Sequence, residues 1–355
     1  MDLLSSLPPF QNLSLGDSNA KTLLGPLFDF AGTWTNDPNQ GWNLIAVPGP
    51  LKINDEPVFF NSGHGFILET IPYIETITFT PISMVLNRGE FPLVNSGFSP
   101  DTKQQIQQIG AMLYDQTIIS AGADPSNPNY AAITKFFAER GFAKGTAIHA
   151  ERGMLLNITN LPGYGNENFQ LARMGTIPHG NAMLCLGNSK TMSAPDIEPN
   201  GNNSSPTAVD PSRQLPVEYT INTYASPNHS LSGYPFYPDF IPTTPNQTLI
   251  NANKGVNFAS TNHISLSTLN GTGGLLSIPF VRGGFDGTKI NTTQMTVDYW
   301  VSKIQGTGEI RLQYVQNINI IFPSNLDASL PINWPHIGLN TLKLVLPGKK
   351  SSTGK

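Results

Sequence analysis

Six histidines carry most of the chemistry this chain can offer: His64, His149, His179, His229, His263 and His336. His336 is the best framed of them. It follows Trp334-Pro335 and leads into the apolar run Ile337-Gly-Leu-Asn-Thr-Leu-Lys-Leu344. Pro335 fixes its own φ and pushes Trp334 towards an extended conformation, so the chain enters a strand stiffly and the imidazole is aimed. A neutral imidazole in an apolar cavity can serve as the axial ligand of a haem iron; it can equally be a core histidine bonded to a neighbour. His149 and His179 fall at strand ends of one meander and are expected to face the same barrel mouth. His229 lies in a polar stretch and reads as solvated.

Other chemistries are poorly served. The single cysteine, Cys185, excludes an internal disulfide and any multi-cysteine metal site, and within Ala182-Met-Leu-Cys-Leu186 it reads as a buried, inert thiol. Gly271-Thr-Gly-Gly274 precedes a strand and not a helix, so it is a turn and not a phosphate cradle. Spacings for a zinc protease or a Ser-His-Asp hydrolase are absent.

The elements that must position these side chains are strands. In Glu309–Phe322, Leu312, Tyr314, Ile318, Ile320 and Phe322 share one face, with Gln313, Asn317 and Asn319 on the other. That period of two marks a half-buried strand, and the segment from Pro331 to Leu344 follows as its partner. Earlier, Ala31–Thr35 and Trp42–Val47 read as two short strands joined by the turn residues Asn36–Gly41. In Gly65–Thr80, Tyr73, Glu75, Ile77 and Phe79 share a face. A buried Glu75 would require a partner, and Arg88 is the nearest candidate in sequence. Thr146–Thr159, Phe169–Ile177 and Asn181–Gly187 form a second meander, and Asn262–Ser267, Gly274–Phe280 and Gln294–Ser302 a third.

Composition agrees. Charged residues are 12% of the 355, against an ordinary ~25%, while Gly (33) and Pro (30) are abundant and hydrophobic residues reach 39%. Low charge with many turn-formers describes an all-β chain with long loops. About ten antiparallel strands without crossover helices predict a closed up-and-down β-barrel. Residues 1–30 read as a short helical arm, 31–346 as one barrel domain, and 347–355 as a disordered tail. Two insertions interrupt the barrel. Residues 99–142 read as helical, on a cap at Ser99-Pro-Asp101 with Ile106, Ile109 and Leu113 at helical spacing, then an amphipathic Tyr130–Ala138. Residues 188–260 read as a loop rich in Asn, Ser, Pro and Tyr, expected to close over a barrel opening through Tyr219, Tyr234, Phe236 and Tyr237.

A net charge of −4 with no basic stripe argues against nucleic acid as a partner. The first residues carry no signal-peptide pattern, and no apolar stretch approaches the ~18 residues of a membrane span, so a soluble cytoplasmic protein with a small-molecule ligand is expected.

Taken in order, Gly32-Thr-Trp34, Tyr73–Phe79, His149-Ala-Glu-Arg-Gly-Met-Leu155, Ile177-Pro-His-Gly180, Leu184-Cys-Leu-Gly187, Leu312-Gln-Tyr314 and Trp334-Pro-His336 resemble the nitrobindin-like haem-binding β-barrels, particularly their longer bacterial and fungal members. The resemblance spans roughly residues 30–97, 146–187 and 260–346. It implies a ten-stranded barrel with ferric haem on a last-strand histidine, here His336 as the metal ligand, with Trp334, Thr33 and Arg173 contacting the cofactor. It further implies chemistry on small ligands such as nitric oxide, peroxynitrite or peroxide, and His149 or His179 can then act as a distal acid/base group in isomerase or peroxidase-type work. The family's glycine-rich first hairpin is replaced here by Thr35–Trp42. The residues alone leave two alternatives open: a lipocalin-like carrier of an apolar organic molecule, with His336 as an orienting polar group, and an enzyme acting on such a molecule.

Overall fold

The computed structural model describes residues 15–16, 20–48, 51–53, 56–58, 66–86, 108–158, 169–177, 181–215, 243–277, 291–323 and 329–345. Its strands are β1 (Gly32–Thr35), β2 (Gly41–Pro48), β3 (Leu51–Ile53), β4 (Glu56–Val58), β5 (Phe66–Leu86), β6 (Gln108–Ser120), β7 (Ala147–Ile158), β8 (Leu171–Ile177), β9 (Asn181–Met192), β10 (Thr207–Ala208), β11 (Phe258–Ser267), β12 (Gly274–Ser277), β13 (Asn291–Ile304), β14 (Ile310–Pro323) and β15 (Pro331–Leu344). The helices are α1 (Ala20–Leu24), which runs into a 3-10 turn over Gly25–Phe30, α2 (Tyr130–Glu139) and α3 (Gln247–Ala252).

Antiparallel neighbours run β2-β5-β6-β7-β8-β9-β11-β13-β14-β15, and β15 pairs back onto β2, which closes a ten-stranded barrel. The all-β, closed, up-and-down architecture expected from the alternating patterns is therefore the one observed. β3 and β4 pair separately as a small hairpin.

Two pairs of short strands are collinear. β1 runs along β5 from Phe79 to Thr76 and β2 continues along β5 from Tyr73 to Phe66, so they are one barrel stave interrupted by Asn36–Gln40. The bulging residues are tied in: Asn36 donates to the Tyr73 carbonyl at 2.9 Å and accepts from the Glu75 amide at 2.7 Å. β11 and β12 likewise follow one another along β9, on either side of residues 268–273.

The apolar core fills the barrel. Leu312, Tyr314 and Ile318 of β14 meet Met295, Val297, Tyr299 and Val301 of β13, Leu342 of β15, and Ile77 and Phe79 of β5. The arm plugs one end. Leu24, Leu27 and Phe30 are buried in this core, and Phe30 packs edge-on against Phe79 at 5.1 Å. The Trp34 indole donates to the Phe30 carbonyl at 2.7 Å, Asn157 donates to the Leu23 carbonyl at 2.8 Å, and Lys303 pairs with Asp29 at 3.0 Å. At Gly110 the arm comes so close that a Cβ would lie 1.9 Å from the Leu23 carbonyl oxygen; only glycine permits the contact.

A second apolar cluster joins α2 (Ile133, Phe136, Phe137) and α3 (Leu249) to Trp42 and Leu44 of β2 and Ile337 and Leu339 of β15. On β15, residues 337 and 339 alternate with the core-facing 340 and 342, so this cluster includes the outer wall.

Several expectations are corrected. The helix read at Asp101–Met112 is, from Gln108 on, strand β6. Ile109 and Leu113 are compatible with helical spacing, but Met112, Tyr114, Gln116 and Ile118 alternate buried against exposed Leu113, Asp115 and Thr117. The helix expected at Tyr130–Ala138 is present as α2. The 188–260 stretch is not all loop: β9 extends to Met192, β10 adds to β15, and α3 packs on the outer wall. Tyr219, Tyr234, Phe236 and Tyr237, expected as lid residues, lie outside the described residues, as do the 347–355 tail, His64, His179 and His229.

Candidate functional site

Register places His336 on the inner face of the barrel. It lies directly opposite Ile318 of β14 and Ile45 of β2, Ile318 lies opposite Met295, and Ile45 lies opposite Glu69 of β5. Ile318 and Met295 belong to the interior core, so the whole row Glu69, Ile45, His336, Ile318, Met295 lines the barrel. The stiff entry behaves as Pro335 requires: Trp334 is 1% exposed and lies opposite Ile320. His336 itself is half-buried, and its Nε2 lies 2.7 Å from Asn43 Oδ1.

One row deeper, Gln316 lies opposite Gly338 and accepts from Arg173 Nη1 at 2.8 Å. Arg173 belongs to a buried ionic network. Its Nη2 lies 2.6 Å from Glu151 Oε1, its Nε donates to the Tyr114 hydroxyl at 3.2 Å, and Tyr114 in turn donates to Glu151. His149 Nε2 is 3.5 Å from the other Glu151 oxygen. The strands make room for this set by losing side chains. A Cβ on Gly153 or on Gly175 would lie 2.5 or 2.4 Å from the Tyr114 hydroxyl oxygen. Burial pushes the Glu151 carboxyl up, but the Arg173 guanidinium and hydrogen bonds from His149 and Tyr114 outweigh it and hold the group at about 2. Burial likewise opposes the charge on Arg173, and Glu151 overcomes it, so the guanidinium stays protonated.

Beside it stands a second buried carboxyl, with no ion-pair partner among the described residues. Glu75 Oε1 accepts from Gln116 Nε2 at 2.7 Å, and Oε2 accepts from Tyr314 at 2.6 Å and Asn340 Nδ2 at 2.8 Å. The Tyr73 and Tyr314 hydroxyls are 2.9 Å apart, and Tyr73 donates to the Leu339 carbonyl at 3.0 Å. Burial raises Glu75 above the usual carboxyl range, outweighing these three donors and the more distant pull of His149. Gln116 bonds Glu75 and sits directly opposite Glu151, so one amide separates two carboxyls whose environments pull in opposite directions.

The expected site residues are thus partly gathered. His336 and Arg173 reach neighbouring rows of the same interior. His149 joins Glu151 and not His336, since β7 and β15 are not neighbours. Thr33 is not brought to His336: it faces outwards, alternating with the buried Trp34, and its hydroxyl is 3.0 Å from that of Thr78. Its carbonyl accepts from Val345, about nine strand residues beyond His336, on the order of 30 Å away. The partners of Glu75 are Gln116, Tyr314 and Asn340; Arg88, proposed for it, lies outside the described residues. Glu151 was not singled out, although His149-Ala-Glu151 places both side chains on one strand face.

A separate cluster lies on the outer wall. His263 stacks on Trp300 at 4.9 Å, with Nε2 2.9 Å from Asp298 and Nδ1 3.1 Å from Asp196. It borders an open depression of about 430 Å³ with Asn188, Ser189, Lys190, Ser265 and Asn270. Among the described residues no group of three or more His, Cys, Asp or Glu is arranged to hold a metal ion, and no helix is long and apolar enough to cross a membrane.

No family model matches the chain, and no curated protein matches it. Among solved structures it is similar to one titled "Crystal Structure of Rv2717c from M. tuberculosis", with 11% identity over 93% of this chain and 99% of that chain. The TM-score of 0.34 is too loose a likeness to bear on function.

Proposed function

We propose that this protein binds a small, largely apolar molecule at the end of the barrel where His336 stands, with the His336–Asn43 pair as its polar contact. The observation that carries this reading is the asymmetry of the barrel. The arm packs Leu24, Leu27 and Phe30 into one end, and the middle is filled by the Tyr, Glu and Arg network. The row of Ile45, His336 and Ile318 near the other end sets apolar side chains on both sides of an imidazole, with Met295 buried behind Ile318. Sites for small ligands combine this kind of lining with a few convergent polar groups.

Haem is the second reading, favoured by the inward register of His336 between two isoleucines. It fits the described residues only in part. Iron ligation needs an open ring nitrogen, and Nε2 is engaged with Asn43. Ligation through Nε2 would require that hydrogen bond to give way, whereas ligation through Nδ1 would keep it as the bond that orients the ring.

Titration with haemin, read at the Soret band, and with 1-anilinonaphthalene-8-sulfonate, read by fluorescence, tests both readings. Saturable binding of the apolar probe, weakened about tenfold by His336→Ala and by Asn43→Ala, is the expected result; a lost polar contact of roughly 1.4 kcal/mol gives that factor. A Soret shift in the parent that His336→Ala abolishes would establish the haem reading. Failure of both ligands to saturate would refute binding at this end.

A further inference from the structure

β6 stops at Ser120, opposite Tyr73, while β5 continues as far as Phe66. Residues 66–72 of β5 therefore run past the end of β6, and the chain after Ser120 stands beside them. Ala121 donates its amide to the Pro72 carbonyl at 2.9 Å. The excursion then forms α2 and returns to its own base. Ser120 Oγ donates to the Phe142 carbonyl at 2.7 Å, the Gly145 amide donates to the Ser120 carbonyl at 2.9 Å, and the Ser120 amide donates to the Thr146 carbonyl at 2.8 Å. The two ends of the excursion are therefore hydrogen-bonded to each other at its root.

Beyond its root the excursion is held by the apolar packing of α2, by the hydrogen bond from Asn39 to Asp124 at 2.8 Å and by a buried ion pair. Arg140, the residue after α2, pairs with Glu69, which is 3% exposed. Glu69 belongs to the row of Ile45 and His336. Ile71, on the same inner face one row deeper, is 1% exposed and belongs to the cluster of Ile133, Phe136 and Phe137 of α2. Glu69 is thus bonded to the excursion, and Ile71 shares an apolar cluster with it. The latch is also underbonded: among the described residues Arg140 Nε is buried with no hydrogen-bond partner, and burial lowers the pKa of the guanidinium. The desolvation of such a pair offsets much of its Coulombic gain, and opening the segment returns both charges to water together.

We infer that residues 121–146 form a hinged flap over the His336 end of the barrel, latched by the Arg140–Glu69 ion pair. The inference rests on the reading that ligand enters at this end, but its test needs no ligand. Cys185 is the single cysteine of the chain, fully buried in the barrel core opposite Arg173, so its modification reports access to the interior.

The rate of reaction of native protein with 5,5′-dithiobis-(2-nitrobenzoate) is measured for the parent, for Arg140→Met/Glu69→Gln, and for Lys303→Gln, which loosens the arm at the opposite end. The double variant removes both charges so that neither is left buried alone. It is expected to react at least tenfold faster than the parent, with Arg140→Lys close to the parent and Lys303→Gln well below the double variant. An unchanged rate in the double variant, or an equal rise in Lys303→Gln, would overturn the flap. Should the double variant fail to fold, hydrogen exchange of the parent decides. Amides of Ile133–Phe137 are expected to exchange through a local opening with little denaturant dependence, ahead of β5 and β6. Exchange of α2 only with global unfolding would equally overturn it. Loss of probe binding with a confirmed flap would instead count against the ligand reading alone.

Discussion

Replacing Glu151 by Gln tests the claim that the barrel is locked from within by an ion pair. Glu151 is fully buried and receives Arg173 at 2.6 Å, the Tyr114 hydroxyl, and His149 at 3.5 Å. A carboxyl held at about 2 against an ordinary 4.5 contributes about 3 kcal/mol of stability at neutral pH. Removing it also strands the Arg173 guanidinium, itself 2% exposed, and breaking one side of a buried pair costs roughly 3–5 kcal/mol. The two routes agree, so Glu151→Gln is expected to lose about 3–5 kcal/mol in urea unfolding at pH 7. The sign with pH follows from the depressed folded value. The contribution is fully present above about 4.5 and is lost as pH falls towards about 2, because the unfolded chain takes up the proton first. The parent should therefore lose stability across that window and the variant should lose less. Glu151→Gln/Arg173→Met should recover much of the loss, since no charge is left unpaired. A single variant as stable as the parent at pH 7, or parallel pH profiles below 4.5, would refute the reasoning.

Glu75 should show the opposite slope. Its folded pKa is raised, so its contribution is complete below about 4.5 and is lost as pH rises through the folded value; Glu75→Gln should flatten that decline in a series of urea melts. Gly153→Ala would place a methyl 2.2 Å from the Met174 carbonyl oxygen and 2.5 Å from the Tyr114 hydroxyl, and is expected to cost about 1–3 kcal/mol or more by thermal unfolding; a neutral outcome would mean that the β7–β8 wall yields easily.

The alternation of residues along the chain determined the class of fold. Leu312, Tyr314 and Ile318 repeat with period two because a strand shows alternate side chains to one face, and that geometry needs no knowledge of the partner strand. Short turns between such runs force neighbours in sequence to be neighbours in space, so the meanders and the closed barrel followed as well. His336 was legible for the same reason, since Trp334-Pro335 fixes the local chain, and its inward face was a question of parity.

Local spacing misled where two periods fit the same few residues. Ile106, Ile109 and Leu113 fit a helix, and only pairing of β6 with both β5 and β7 decided otherwise. The collinearity of β1 and β2 was hidden because Asn36–Gly41 has turn composition whether the chain reverses or merely bulges. The buried network was illegible for a deeper reason. Glu75 meets Tyr314 and Asn340 more than two hundred residues away because barrel closure sets β5 and β15 on either side of the same stave. Arg173 chooses Glu151 because β7 and β8 are neighbours, and Thr33 misses His336 because β1 pairs with the far end of β15, about nine residues along the strand. Identity and spacing supply the candidate groups. Which carboxyl receives the cation and which is left to neutral donors depends on distances that exist only once the sheet has closed.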